Sequence, residues 1–260
     1  MNKLLSRAAA LLLALLLLCS LSPAMADLDT GDASTRWYRS RAPERPPHKL
    51  DCITIFDQSR YTRDSHPDWA LAGYKGRDLA SSGCGLFAFA HLLQWLEGAP
   101  ADEDLLRELI AVCSDPNGAY DHPACTHPKG LDVKVIYGQA FADRIQNLPL
   151  PAKTYDGVRA FFSADARRAL RVLTGSHIAI AIEEMTVDGV SYIHMVDSNW
   201  GTYFYRKGYR YYAWEDGRMV ECKYAEGTYG MGSDYWLKTH DMVNIRLLDA
   251  WTAVEPTDAS

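Results

Sequence analysis

Ser81-Ser82-Gly83-Cys84-Gly85-Leu86-Phe87-Ala88-Phe89-Ala90-His91-Leu92-Leu93-Gln94-Trp95-Leu96-Glu97 sets a cysteine between two glycines and follows it with a helix-forming run. Leu86, Phe89, Ala90, Leu93 and Leu96 recur at helical spacing, which predicts a helix with one buried stripe and Cys84 at its N-terminus. Unpaired backbone N–H groups and the helix dipole stabilise a thiolate there, so the position favours a reactive thiol. The flanking glycines leave room for a substrate backbone to approach the sulfur. The same stretch also reads as a small residue opening a core helix, with the thiol buried or bonded, and the rest of the chain has to decide between the two.

Working outward, the chain begins Met1-Asn2-Lys3-Leu4-Leu5-Ser6-Arg7, runs through apolar residues from Ala8 to Leu18 and reaches Ala24-Met25-Ala26. Residues 1–26 therefore read as a secretory signal peptide, and a secreted or periplasmic protein is expected. No later apolar run is long enough to span a bilayer, so no membrane association is expected after cleavage. Residues 27–49 are charged and proline-bearing, a poorly ordered lead-in, and residues 50–255 have the length of one sizeable domain. The formal net charge of −6 and the absence of a basic block argue against nucleic acid as a partner.

Removing Cys19 with the leader leaves Cys52, Cys84, Cys113, Cys125 and Cys222, an odd number in an oxidising compartment. Cys113 and Cys125 bracket a short polar loop and are expected to pair, with Cys52 and Cys222 pairing at longer range. Cys84 is then the free thiol, although four cysteines admit other pairings. His122, Cys125, His127 and Cys113 could also form a zinc site; secretion favours the disulfide, so no metal and no cofactor is expected.

Along the domain, Leu50 to Phe56 reads as a short strand containing Cys52, and Gln58 to Asp78 as irregular chain with Trp69 and Tyr74 beside the first helix. A second helix starts at Asp102 with Leu105, Leu106, Leu109 and Ile110 on one face. Gly130 to Ile145 reads as helical, and Ser163 as the cap of a further helix through Ala166, Leu170 and Leu173 that stops at Gly175. From Thr202 the chain is aromatic and strand-like, with an Asp216-Gly217 turn, and Tyr235 to Leu248 supplies a closing strand or two.

Ser176-His177-Ile178-Ala179-Ile180-Ala181-Ile182 and the run from Val190 to Ser198 form a β-hairpin around Val187-Asp188-Gly189. Register decides whether a site forms. A tight two-residue Asp188-Gly189 turn would put His177 on the face opposite Asp197. A three-residue loop with Gly189 left-handed sets His177 opposite Asn199 with Asp197 as its diagonal same-face neighbour, and that register is the expectation. A cysteine nucleophile needs a base, and the base needs a partner to fix its tautomer. Cys84, His177 and Asp197 fill those roles; Asn199 is the alternative orienter, His194 the competing base, and His91 a packing residue.

Ser82-Gly83-Cys84-Gly85 opening an apolar helix, a histidine-initiated strand and a strand ending Val196-Asp197-Ser198 resemble the secreted, soluble double-glycine peptidase-like (bacteriocin-processing-type) cysteine peptidases, within the papain-like fold. The resemblance runs from about Trp69 to Trp200 and implies an α+β domain whose N-terminal helical part packs on an antiparallel sheet. It also implies that Cys84 is the nucleophile, His177 the base and Asp197 the third member. The chain departs from the pattern with Leu86-Phe87 after the Gly-Cys-Gly and with Ser198 after the aspartate. Papain-like enzymes also place an oxyanion-hole glutamine a few residues before the cysteine, where this chain has Arg77-Asp78.

The expected activity is hydrolysis of peptide or peptidoglycan stem-peptide amide bonds. A binding protein on a degenerate peptidase scaffold is the rival from another class, motivated by the missing glutamine and the aromatic tail.

Overall fold

The computed structural model describes residues 49–113, 134, 136–164, 167–199, 204, 207–215, 217–222 and 232–254. The expected signal peptide, the expected lead-in up to residue 48, His122, Cys125 and His127, and with them the expected Cys113–Cys125 pairing, lie outside the described residues. The helices are α1 (Leu79–Ser82), α2 (Cys84–Glu97), α3 (Glu103–Cys113), α4 (Gln139–Arg144), α5 (Tyr155–Ser163) and α6 (Thr239–Met242). The strands are β1 (Ile145–Leu148), β2 (Ala169–Thr174), β3 (His177–Val187), β4 (Val190–Asp197), β5 (Tyr211–Glu215), β6 (Arg218–Cys222), β7 (Ser233–Lys238) and β8 (Arg246–Ala253). They form an open antiparallel sheet in the order β1-β8-β2-β3-β4-β7-β5-β6. The domain is α+β, as the sequence predicts.

The apolar run of β3 explains the layering. Ile178, Ile180 and Ile182 join a core cluster with Leu86, Phe89 and Leu93 of α2 and Leu105, Leu106 and Leu109 of α3. Ala179 and Ala181 face a second cluster with Val158, Phe161 and Phe162 of α5 and Met242 at the end of α6. The strand is thus covered on both faces, which is why its sequence is continuously apolar rather than alternating.

Helix α2 is more deeply enclosed than a single stripe requires, for every residue from Gly85 to Leu96 is buried. A helix apolar nearly all round belongs in a core. Its two polar interior residues are held by the segment that crosses it. Thr54 N–H donates to Gln94 Oε1 at 2.8 Å, and Phe56 N–H donates to His91 Nε2 at 3.0 Å. This corrects the expected strand at Leu50 to Phe56: Lys49–Cys52 is a 3-10 turn, and the extended chain after it gives these backbone donors to side chains of α2 instead of to a ladder.

Three further expectations are corrected. The helix predicted from Ser163 to Gly175 is the end of α5 followed by β2; Ala166, Leu170 and Leu173 fit a helical period, but Ala169 to Thr174 is a short run buried between β3 and β8. Gly130 to Ile145 contains α4, and Ile145 already belongs to β1. Cys52 and Cys222 are not joined to each other: Cys52 packs against the α2 cluster and Cys222 belongs to the α5 cluster across the sheet. The aromatic tail forms β5 and β6 as expected, with β7 inserted between them and the hairpin. No helix among the described residues is long and apolar enough to cross a membrane.

Candidate active site

The hairpin brings its two ends into phase by a route the sequence did not suggest. Val187 pairs with Val190, so the turn is the tight Asp188-Gly189 pair, with φ of 50° and 76°. Two left-handed residues make the mirror-image turn that suits a twisted hairpin. That turn alone would put His177 out of phase with Asp197. A bulge at Ile182 intervenes: Glu183 pairs with His194 while Ala181 pairs with Met195, and Ile180 then pairs with Val196. One extra residue in β3 restores the match. The expected three-residue loop is therefore wrong, and the expected phase at the His177 end is right.

His177 and Asp197 meet as that phase requires. His177 Nε2 donates to Asp197 Oδ1 at 2.6 Å, and both side chains are essentially inaccessible to solvent. The other oxygen, Oδ2, accepts the Tyr235 hydroxyl at 3.0 Å, and Oδ1 also accepts the Asn199 N–H at 2.8 Å. Asn199 thus contributes its backbone, and the carboxylate bonded to the His177 ring is that of Asp197.

Cys84 is the first residue of α2 and lies against the start of β3. Its Sγ lies 3.7 Å from the Ser176 carbonyl oxygen, accepts the Ile178 N–H and is hydrogen-bonded to His177. With Nε2 of His177 on Asp197, the ring has Nδ1 left for the sulfur. Burial would push the thiol up; the hydrogen bond and charge of His177, with the Ile178 N–H, outweigh it and hold Cys84 below the ordinary thiol range. Burial would pull His177 down, but the charge and hydrogen bond of Asp197, helped by Cys84, drive it up to about 10. Asp197 is raised by burial and lowered more by His177, the Asn199 N–H and the Tyr235 hydroxyl, so its carboxyl stays below the usual range. Between those limits the arrangement favours a thiolate beside an imidazolium.

Gly83 joins α1 to α2 and has no room for a side chain, since an added Cβ would meet the Leu79 carbonyl oxygen at 2.6 Å and a Phe87 ring carbon at 2.7 Å. The two helices are offset here rather than continuous. In an unbroken helix Cys84 N–H would bond to Ala80 O. Instead Gln58 Nε2 donates to Ala80 O at 2.9 Å, and Cys84 N–H has no acceptor among the described residues.

Gln58 is buried and is tied equally to the other half of the site. Its Oε1 accepts the Ser198 hydroxyl at 3.0 Å and its N–H donates to Ser198 O at 2.9 Å. A carboxamide therefore stands between the segment before Cys84 and the residue after Asp197. Searching a few residues upstream of the cysteine could not find it, because Gln58 arrives through the extended segment docked on α2.

The competing histidines are occupied elsewhere. His194 donates from Nδ1 to Glu183 at 2.7 Å and from Nε2 to Asp234 at 2.9 Å, and stacks on Trp236. Burial opposes its charge, but the two carboxylates raise its pKa and leave neither nitrogen as a base. His91 is buried and stacked on Phe56; burial lowers it to about 3, so it stays neutral. No group of metal-ligating side chains occurs among the described residues. No family model matches the chain, and neither the curated proteins nor the solved structures offer a match.

Proposed function

We propose that the chain is a cysteine hydrolase of papain-like architecture, secreted or periplasmic, that cleaves peptide amide bonds through an acyl-thioester. The observation that carries this reading is the continuous line Cys84–His177–Asp197, in which one imidazole is hydrogen-bonded to the thiol and to a buried carboxylate. Such a line has a bland alternative as a satisfied histidine. The thiol with a lowered pKa at a helix start, hydrogen-bonded to a histidine oriented by an acid, fits a nucleophile and its base better.

In the proposed reaction the Cys84 thiolate attacks the peptide carbonyl carbon, and negative charge develops on the carbonyl oxygen. Cys84 N–H is a donor for that charge, and Gln58, by holding Ala80 O, keeps it turned away from the preceding helix. His177 delivers its proton to the leaving amine as the C–N bond breaks. It then takes a proton from water, whose oxygen attacks the thioester; the C–S bond breaks, the acid leaves, and the proton stays shared between His177 and Cys84. The rival reading rested on the missing glutamine, and a buried carboxamide, Gln58, does border the site although the local sequence offers none.

Free peptides and peptidoglycan stem peptides share this chemistry. The test is cleavage of a mixed peptide pool and of purified stem peptides by the mature chain, read by mass spectrometry beside Cys84→Ala and His177→Ala. Cleavage of either class that both variants lose supports the reading. A folded wild-type chain that cleaves neither and whose Cys84 resists alkylation overturns it.

A further inference from the structure

Asp197 is held from both neighbouring strands. On the β3 side the pairing of Ile180 with Val196, continued to the strand end, makes His177 its diagonal same-face neighbour. On the β7 side Met195 pairs with Tyr235 and Asp197 with Ser233, so Tyr235 is the matching diagonal neighbour. Its hydroxyl donates to Asp197 Oδ2 at 3.0 Å while His177 holds Oδ1 at 2.6 Å. The tyrosine is 1% exposed, and its ring is walled by Tyr211 at 4.8 Å and Phe204 at 6.2 Å, both edge-on. Few side chains in a fold are better fixed than one packed between two aromatic rings. Such packing aims the hydroxyl as well as filling space.

We propose that Tyr235 is a positioning residue of the site: its hydroxyl fixes the rotation of the Asp197 carboxylate and, through it, the His177 ring that serves Cys84. The proposal rests on the hydrolase reading above. The Tyr235 bond at Oδ2, added to those of His177 and the Asn199 N–H at Oδ1, holds the carboxylate so that it presents Oδ1 to Nε2 in one orientation. The hydroxyl donates more strongly to the ionised form than to the neutral acid, so it favours the negative charge opposite His177. The other titratable groups that face Asp197 are His177 itself, Cys84, and His91 of α2, which stays neutral.

The test is Tyr235→Phe, which keeps the ring and removes one oxygen. Iodoacetamide alkylation of Cys84 is followed from pH 4 to pH 9 in wild type and variant, with circular dichroism to confirm the fold. With its carboxylate no longer held in that orientation, Asp197 supports His177⁺ less well and His177 supports the thiolate less well, so the acid limb of the profile should move up by about 0.5–1 unit. Alkylation on that limb then slows about threefold to tenfold. A second measurement makes the same substitution beside Asp197→Asn, where no further shift is expected.

An unmoved limb in folded Tyr235→Phe, or an equal shift in both backgrounds, overturns the proposal while leaving the hydrolase reading intact. A wild-type profile with no limb below the ordinary thiol range instead overturns the reading on which the proposal rests.

Discussion

Cys84 touches the backbone on both sides of His177, its Sγ lying 3.7 Å from the Ser176 carbonyl oxygen and accepting the Ile178 N–H. The spacing of Cys84 and His177 is therefore set by peptide groups adjacent to the histidine, not by side-chain rotamers alone. Helix α2 and strand β3 are locked together at this point as well as through their apolar contacts.

Cys84 alkylation should reveal the pairing directly. With the thiol lowered and His177 raised to about 10, iodoacetamide should modify Cys84 well below the ordinary thiol range of about 8.5. His177→Ala should return the profile toward that range and reduce peptide turnover by about a hundredfold to ten-thousandfold. Stopped-flow alkylation with peptide mapping reads the first effect and an end-point cleavage assay the second. An unchanged profile in His177→Ala would mean that the histidine does not govern the thiol.

Gln58→Ala should damage stability and turnover together. The substitution strips partners from the Ser198 hydroxyl and the Ala80 carbonyl inside the protein, at a cost of about 1–3 kcal/mol in urea unfolding. It also lets Ala80 O capture Cys84 N–H. Turnover number should fall by about tenfold or more with KM little changed, since a donor to a developing charge acts after binding. A rise in KM alone would place Gln58 in substrate binding.

His91 makes an acid-side prediction with the opposite sign to His177. Its folded pKa of about 3 lies below the unfolded value of 6.5, so the unfolded chain takes up the proton first. The stability this neutral histidine contributes is complete above pH 6.5 and is lost as pH falls toward 3. At pH 4.5 the loss amounts to roughly 2–3 kcal/mol. His177, raised above its unfolded value, contributes stability that is complete below pH 6.5 and lost as pH rises toward 10. Urea titrations at pH 7 and pH 4.5 on wild type and His91→Gln separate them, because glutamine keeps an acceptor for Phe56 N–H without titrating. Equal acid losses in both proteins would remove His91 from the account.

The sequence made the Cys84 helix and the His177 hairpin legible because each carries its own periodicity and punctuation. It misassigned β2 because Leu170 and Leu173 are spaced for a helix, and a run this short does not distinguish the two. It misassigned Leu50 to Phe56 because an extended segment and a strand share a composition, and only the position of Gln94 and His91 shows where the backbone donors go. Gln58 and Tyr235 left no local signal at all. Each reaches the site across many intervening residues, through tertiary contacts that spacing along the chain does not encode.

The bulge at Ile182 gives the hairpin a one-residue reserve, and that reserve has a direction. Shortening β3 by Ile182 joins Ala181 to Glu183, whose partners Met195 and His194 are already consecutive, so the ladder closes and His177 keeps its phase with Asp197. Lengthening β3 by one residue at the same place finds no such slack and turns His177 to the other side of the sheet. A length-variant pair tests this: the deletion should retain rapid Cys84 alkylation at low pH, and the insertion should lose it while retaining strand content. Homologous chains that descend from this one would then be expected to tolerate loss of a residue between the turn and the histidine and to reject gain of one, an asymmetry in allowable lengths that arises from geometry before any selection on chemistry.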